Sequence, residues 1–327
     1  MSKEQKRTTM TRVILFLVSC MAALLCGCSM PGNAIRPDKP KAVKQLQVDG
    51  PIDELEASSA VNVVYTLASP HEGINVKIEA PGNLLDYVVV EKKGRKLACK
   101  VDSKGNNVNI IGVTVFVSMP PVSSITASSA ANVTVDYDYN SDKPLSLYAS
   151  SAGSIDMENV FLPENAYLDI TASSAASIDI DEAIVGSFKG NISSAADVEI
   201  DHLTADTATI QCSSSAKFET DTRVNVLTAS SSSAADMEIS GVAGNASLSA
   251  SSNGKIDADE LDAKQISVSE DWQSGGKICG FGKEPRNCGN VREYDYEDDI
   301  YGSSKAAVKT EQKAAKAKQV KLEMPEL

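Results

Sequence analysis

Six acids, Asp156, Asp179, Glu199, Glu219, Glu238 and Asp257, hold the same place in a phrase the chain repeats: Ser-Ser-Ala-Ala-x-hydrophobic-acid-hydrophobic. Copies begin at Ser128, Ser150, Ser173, Ser193, Ser213, Ser232 and Ser251, 19–23 residues apart, and an outlying copy begins at Ser58. With one copy per rung of a ladder, the acids project from one face about 4.8 Å apart. Carboxylates so spaced can recruit Ca²⁺, which takes several oxygen ligands. They can equally form a solvated outer face that guards against sheet stacking, since like charges at that distance repel by about 1 kcal/mol in water. The solvated face is favoured, because the glycine-rich calcium-binding nonapeptide is missing from the repeats.

The repeated serines are a second candidate. A serine nucleophile needs a neighbouring base, and the chain has two histidines, His71 and His202. His202 follows "DVEID" and reads as an exposed corner residue. The serines are therefore expected to stack structurally, hydroxyl on hydroxyl. Tyrosines gather in "REYDYEDDIYG" (Tyr294, Tyr296, Tyr301) and in "DYDYN" (Tyr137, Tyr139). Exposed aromatics beside acids can stack on sugars or on a protein partner, and they can equally close the end of a repeat stack. Cys279 and Cys288 bracket "GFGKEPRN", a loop that can close as a disulfide in an oxidising compartment. Metal ligation is the rival reading there, without a second Cys or His pair nearby. Cys99 and Cys212 sit in strand-like contexts and read as buried apolar residues.

The elements that hold these residues are short and β-branched. "SSAADVEIDHLTADTATIQC" contains two alternating runs, Val198-Glu199-Ile200 and Ala208-Thr209-Ile210, and no helical period. A period near twenty residues with internal alternation predicts a solenoid: an all-β, right-handed parallel β-helix with coils of about 19–23 residues. One inward column is Val133, Ile155, Ile178, Val198, Phe218, Met237 and Ile256. A second is Val135, Met157, Ile180, Ile200 and Ile239, faltering at Thr220 and Ala258. Aromatic content is only 5%, so the core rests on small aliphatics. Formal net charge is -13, which excludes a nucleic-acid partner because nothing neutralises phosphates.

Lys3, Lys6, Arg7 and Arg12 precede an apolar run from Val13 to Leu25, the pattern of a secretory signal and too short to span a bilayer. The boundaries read as a signal peptide over 1–27, a flexible tether over 28–46, and a strand-rich N-terminal part over 47–122. The solenoid and its cap follow over 123–302, and a basic Ala/Lys-rich tail over 303–327.

Two resemblances bear on address and family. Leu25-Cys26-Gly27-Cys28 resembles a bacterial lipobox, which implies cleavage before Cys28, lipidation of its sulfur, and a membrane partner held through lipid alone. "ASSAVNVVYTL", "INVKIEAPGNLLDYVVVEKKGRKLACKV" and "VTVFVSMPPVSSITASSAANVTV", followed by the repeats, resemble the auto-transporter adhesin or head GIN domain family of Bacteroidetes lipoproteins. Members of that family carry Gly-Ser-Gly in the turn. Ser-Ser-Ala takes its place here, which favours stacked hydroxyls over a left-handed backbone. The family supplies no catalytic residue. Asp206-Thr207-Ala208 resembles the Bacteroidetes O-glycosylation site, with Thr207 the acceptor. "CSMPGNAI" lacks the acids of the surface-export signal, leaving a periplasmic or surface orientation open at a lipid-anchored, outer-membrane address.

Two functions compete on these residues. One is a non-catalytic envelope protein that binds a glycan or protein ligand along a regular face. The other is a carbohydrate-active β-helix enzyme, a lyase or hydrolase. The second needs clustered carboxylates with Arg or Lys and aromatic subsites, and the coils hold one arginine, Arg223, and no tryptophan. The binding reading is the expectation. No motif asks for a cofactor.

Overall fold

Alternation of Val, Ile, Leu and Ala with polar residues sends one side chain inward and the next outward. Over its described residues the chain realises it as one sheet of 21 strands. The structure, a computed structural model, describes residues 35–68, 73–280 and 320–321. In chain order the strands are β1 (Lys41–Val48), β2 (Glu54–Ser58), β3 (Asn62–Leu67), β4 (Ile74–Pro81), β5 (Val88–Lys93), β6 (Lys96–Val101) and β7 (Thr114–Met119). Then come β8 (Ser124–Ser128), β9 (Asn132–Val135), β10 (Tyr139–Asn140), β11 (Leu145–Ser150), β12 (Ser154–Phe161), β13 (Tyr167–Ala172) and β14 (Ser177–Ile192). Last are β15 (Asp197–Cys212), β16 (Lys217–Ser231), β17 (Asp236–Ala250), β18 (Lys255–Asp257), β19 (Leu261–Glu270), β20 (Lys277–Cys279) and β21 (Val320–Lys321). Two short 3-10 turns, Leu85–Tyr87 and Trp272–Ser274, interrupt them.

From β8 onward each coil stacks on the one before it through parallel pairs, and the fold is a β-solenoid. The first predicted column is buried throughout, from Val133 to Ile256. The second is buried too, and Thr220 and Ala258 keep their places in it. Thr220 Oγ1 reaches the carbonyl oxygen of Asp221 at 3.4 Å. The drop in period from 20 to 19 has a local cause. Ile200 pairs with Thr220 and His202 with Asp221, so Asp201 is the extra residue of a bulge. Large and small core residues compensate one another. Phe188 stacks on Phe218 with ring centroids 6.2 Å apart, and Gly190 leaves room beside the Phe188 ring.

The lower end differs from expectation. The solenoid starts at β2, not at residue 123: β2 and β3 pair in parallel with β8 and β9. On their other side lie β6 and β7, also parallel, so a coil later in sequence sits outside the first. Residues 73–122 make this detour and also close the end. β5 runs antiparallel to β6, β4 to β7, and β1 to β4. The expected tether over 28–46 is therefore strand from Lys41 onward, because the antiparallel layer covers edges that a bare terminal coil would expose.

The serine corners also depart from expectation. At eight of them the second Ser and the residue after it are both left-handed, from Ser59 and Ala60 (φ +59° and +56°) to Ser252 and Asn253 (φ +51° and +61°). The turn is of the type that demands positive φ at both central residues, and it forms here without glycine. Ala176 N–H donates to the Ser173 carbonyl across the turn at 3.3 Å. Ala175 N–H donates to the Ser194 carbonyl of the next coil at 3.0 Å, and the bond recurs up the stack. Each left-handed residue costs roughly 1–2 kcal/mol, and a net backbone bond returns about 1 kcal/mol. The ladder of backbone bonds offsets much of the strain.

Candidate functional site

The coil face just before each corner carries an open groove. On the lower coils of that face the outward positions of β2, β8, β11 and β13 line this groove of about 590 Å³. Glu54, Ser124, Thr126 and Ser146 line it, and Lys96 of β6, paired with Glu54, stands at one end. Lys143 and Pro144, in the turn before β11, together with Tyr148 and Tyr167 complete the lining. The two tyrosines are 42% and 48% exposed, while the neighbouring outward positions hold small polar residues. Both tyrosines take outward positions because their flanking residues, Leu147, Ala149, Ala166 and Leu168, are core. The Lys96 ammonium bonds to Glu56 at 2.9 Å and lies 3.5 Å from Glu54, an arrangement that raises the lysine's pKa.

Neither tyrosine stands out in the chain read singly. Alignment of the repeats reveals them: the places of Tyr148 and Tyr167 are filled by Thr171, Asn191 and Gln211, and by Ser187 and Thr207, on later coils.

The acidic column is in register. Asp156 pairs with Asp179, Asp179 with Glu199, Glu199 with Glu219, Glu219 with Glu238, and Glu238 with Asp257. Partial desolvation raises the Asp156 carboxyl above its ordinary value, with Asp181 and Glu158 adding to it. Desolvation likewise raises Glu238, helped by Glu219 and Asp257. Lysines from the column beside it intrude: Lys217 lies 2.9 Å from Glu219, and Lys255 lies 3.4 Å from Asp257. Among the described residues no group of three or more His, Cys, Asp or Glu is placed to hold a metal ion.

The remaining candidates fall in several places. Thr207 is half-buried within β15, paired with Ser187 and Val226, and Asp206 beside it accepts from Asn225 at 2.8 Å. His202 is exposed, but lies within β15 rather than at a corner. The corners close through backbone bonds, supplemented at two of them by serine hydroxyls: Ser231 Oγ donates to the Ala235 carbonyl at 2.9 Å, and Ser274 Oγ accepts from the Ser252 N–H at 2.8 Å. The hydroxyl–hydroxyl bond is four residues further on, Ser177 to Ser154 at 3.0 Å, in line with Asn132 to Asn62 at 3.0 Å. Tyr139 is buried and Tyr137 packs on the core, its ring edge-on to Tyr65 at 5.2 Å, so "DYDYN" is no exposed platform. The alternating positions that would have exposed them turn inward, and the Tyr139 hydroxyl donates to the Val122 carbonyl. Cys99 and Cys212 are free and buried, their thiols pushed up to about 12 by burial. Cys279 is buried in β20 and disulfide-bonded. Cys28, Cys288, His71, Tyr294, Tyr296 and Tyr301 lie outside the described residues.

Comparisons with known proteins agree on the architecture. Residues 51–223 and 191–278 match the model of the family described as "Putative auto-transporter adhesin, head GIN domain". A putative adhesin of Parabacteroides distasonis superposes with a TM-score of 0.62 at 14% identity, covering 75% of this chain and 99% of its own. One from Parabacteroides merdae gives 0.57 at 15%, covering 73% and 99%. A protein of P. distasonis titled a putative lipid binding protein gives 0.57 at 16%, covering 75% and 98%. No curated protein matches the sequence.

Proposed function

The chain belongs to the head GIN domain family, and on that premise we propose that it is a non-catalytic, lipid-anchored binding protein of the cell envelope. In this reading Cys28 carries the lipid and the groove beside Tyr148 and Tyr167 holds a glycan. The observation that carries it is the combination of two exposed aromatic rings with hydroxyls and a lysine in one open groove. Aromatic faces stack on sugar rings, and hydroxyl and ammonium groups fix their orientation. Adhesive function suits the family's name, and its relatives are named for binding rather than turnover.

The lyase or hydrolase reading is weaker on the same residues. Glycoside hydrolysis uses two carboxyl groups about 5–9.5 Å apart. The groove lining contains one, Glu54, and Lys96 is set against it.

A glycan array read alongside a reducing-sugar assay tests the proposal. Binding without turnover is expected, lost in Tyr148→Ala and Tyr167→Ala. Release of reducing ends would replace the adhesive reading with the enzymatic one. Binding unchanged in both variants would remove the groove from it.

A further inference from the structure

Three outward columns leave the groove and continue up the solenoid. Tyr148 is in register with Thr171, then Asn191, Gln211, Ser230 and Ser249. Beside it, Ser146 leads through Asp169 and Lys189 to Thr209, Thr228 and Ser247. Tyr167 heads the third, whose later members include Thr207, Val226 and Asn245. In these columns between Tyr167 and Ser269, the only charges are Asp169 and Lys189, adjacent and opposite in sign. The face on the other side of the corner carries the acidic column. In a chain of net charge -13 this division is sharp.

We infer that the ligand is an extended, uncharged polysaccharide lying along the solenoid axis, anchored in the tyrosine groove and continuing over the neutral columns. The inference rests on the glycan reading of the groove. Hydroxyl and amide side chains both donate and accept, as sugar hydroxyls do, so either can answer the other in any local orientation. Coils rise by about 4.8 Å, a step similar to the length of one pyranose ring, so the chain meets a fresh row of polar groups at nearly every sugar. An anionic chain finds no unbalanced cation in these columns. Above the two tyrosines a protein partner finds no apolar centre, since Val226 is the one aliphatic side chain of the columns there, and protein interfaces are built around aromatic and aliphatic anchors.

Calorimetry on the purified full chain in detergent tests this, using neutral β-linked gluco- and manno-oligosaccharides from disaccharide to decasaccharide, with polygalacturonate as the charged probe. Affinity is expected to climb about tenfold or more with length. Thr228→Arg and Ser247→Arg, both at exposed positions, are expected to abolish the climb and leave disaccharide binding intact, which also shows that they fold. A flat length dependence, or long-chain binding by these variants equal to wild type, overturns the inference and leaves the groove standing. Tighter binding of polygalacturonate overturns the uncharged chain. Failure of every saccharide to bind sinks the groove reading along with the inference.

Discussion

Ala195 donates its backbone N–H to the carbonyl oxygen of Ser214 on the next coil, 2.9 Å away, and does so from a left-handed conformation (φ +59°). Bond and strain are two sides of one device, because the left-handed backbone at the corner brings that N–H into the ladder. Ala195→Gly removes the Cβ clash, worth roughly 1–2 kcal/mol, against an entropic cost of about 0.5–1 kcal/mol. It is expected to raise the unfolding free energy by a few tenths to about 1 kcal/mol in urea titration. Ala195→Val, β-branched where φ must be positive, should lower it by at least about 1 kcal/mol. A valine variant as stable as wild type would mean the corner is not left-handed.

Gly190 faces a different constraint. A Cβ there would stand 3.1 Å from Ile192 Cδ1 and 3.3 Å from the Phe188 ring. Gly190→Ala overpacks this part of the core and is expected to cost about 1–3 kcal/mol. Adding Phe188→Leu should recover part of that loss in a double-mutant cycle. Strictly additive losses would show that the ring and the missing methyl do not compete for the same space.

Thr220 places a hydroxyl in a column of aliphatics, with one long bond to Asp221. Thr220→Val exchanges that group for a methyl of similar size. Thermal unfolding should shift upward, equivalent to about 1 kcal/mol. A downward shift would show that the hydroxyl bond contributes more than its burial costs.

The acidic column fixes a pH dependence. A carboxylate held above its ordinary value binds a proton more readily in the folded chain, so stability falls as pH rises through the folded value. For Asp156 and Glu238 the window opens at 3.8 and 4.5 and extends upward. Asp156→Asn and Glu238→Gln are therefore expected to raise Tm at neutral pH. The gain disappears once the pH is below those values, where both states are protonated. A lower Tm for both variants at neutral pH would reverse the sign. Because Lys217 and Lys255 already answer Glu219 and Asp257, millimolar Ca²⁺ after EDTA should move the midpoint no further than a monovalent salt of equal ionic strength. A larger shift would make the column a cation site.

Cys28→Ala is expected to release the chain from the membrane fraction to the soluble one. Retention in membranes would contradict a lipid anchor, and protease shaving of intact cells bearing the wild-type chain reads its orientation.

What the sequence alone determined is the repeat and everything that follows from alternation. Ile178, Asp179 and Ile180 read as in, out, in, and a strand of period two leaves no other arrangement once one residue is buried. The family, the columns and the register of the acids were legible for the same reason. Only the tertiary structure decided which coil lies next to which. β6 and β7 pack outside β2 and β3 although they come later in the chain, because a stack records spatial neighbours and sequence order does not. It also decided the left-handed corners, where bonds between coils hold Ser and Ala in a backbone their own propensities disfavour. The groove was hidden for the same reason. Tyr148 and Tyr167 belong to successive coils, 19 positions apart in sequence, and parallel stacking is what brings them to one surface.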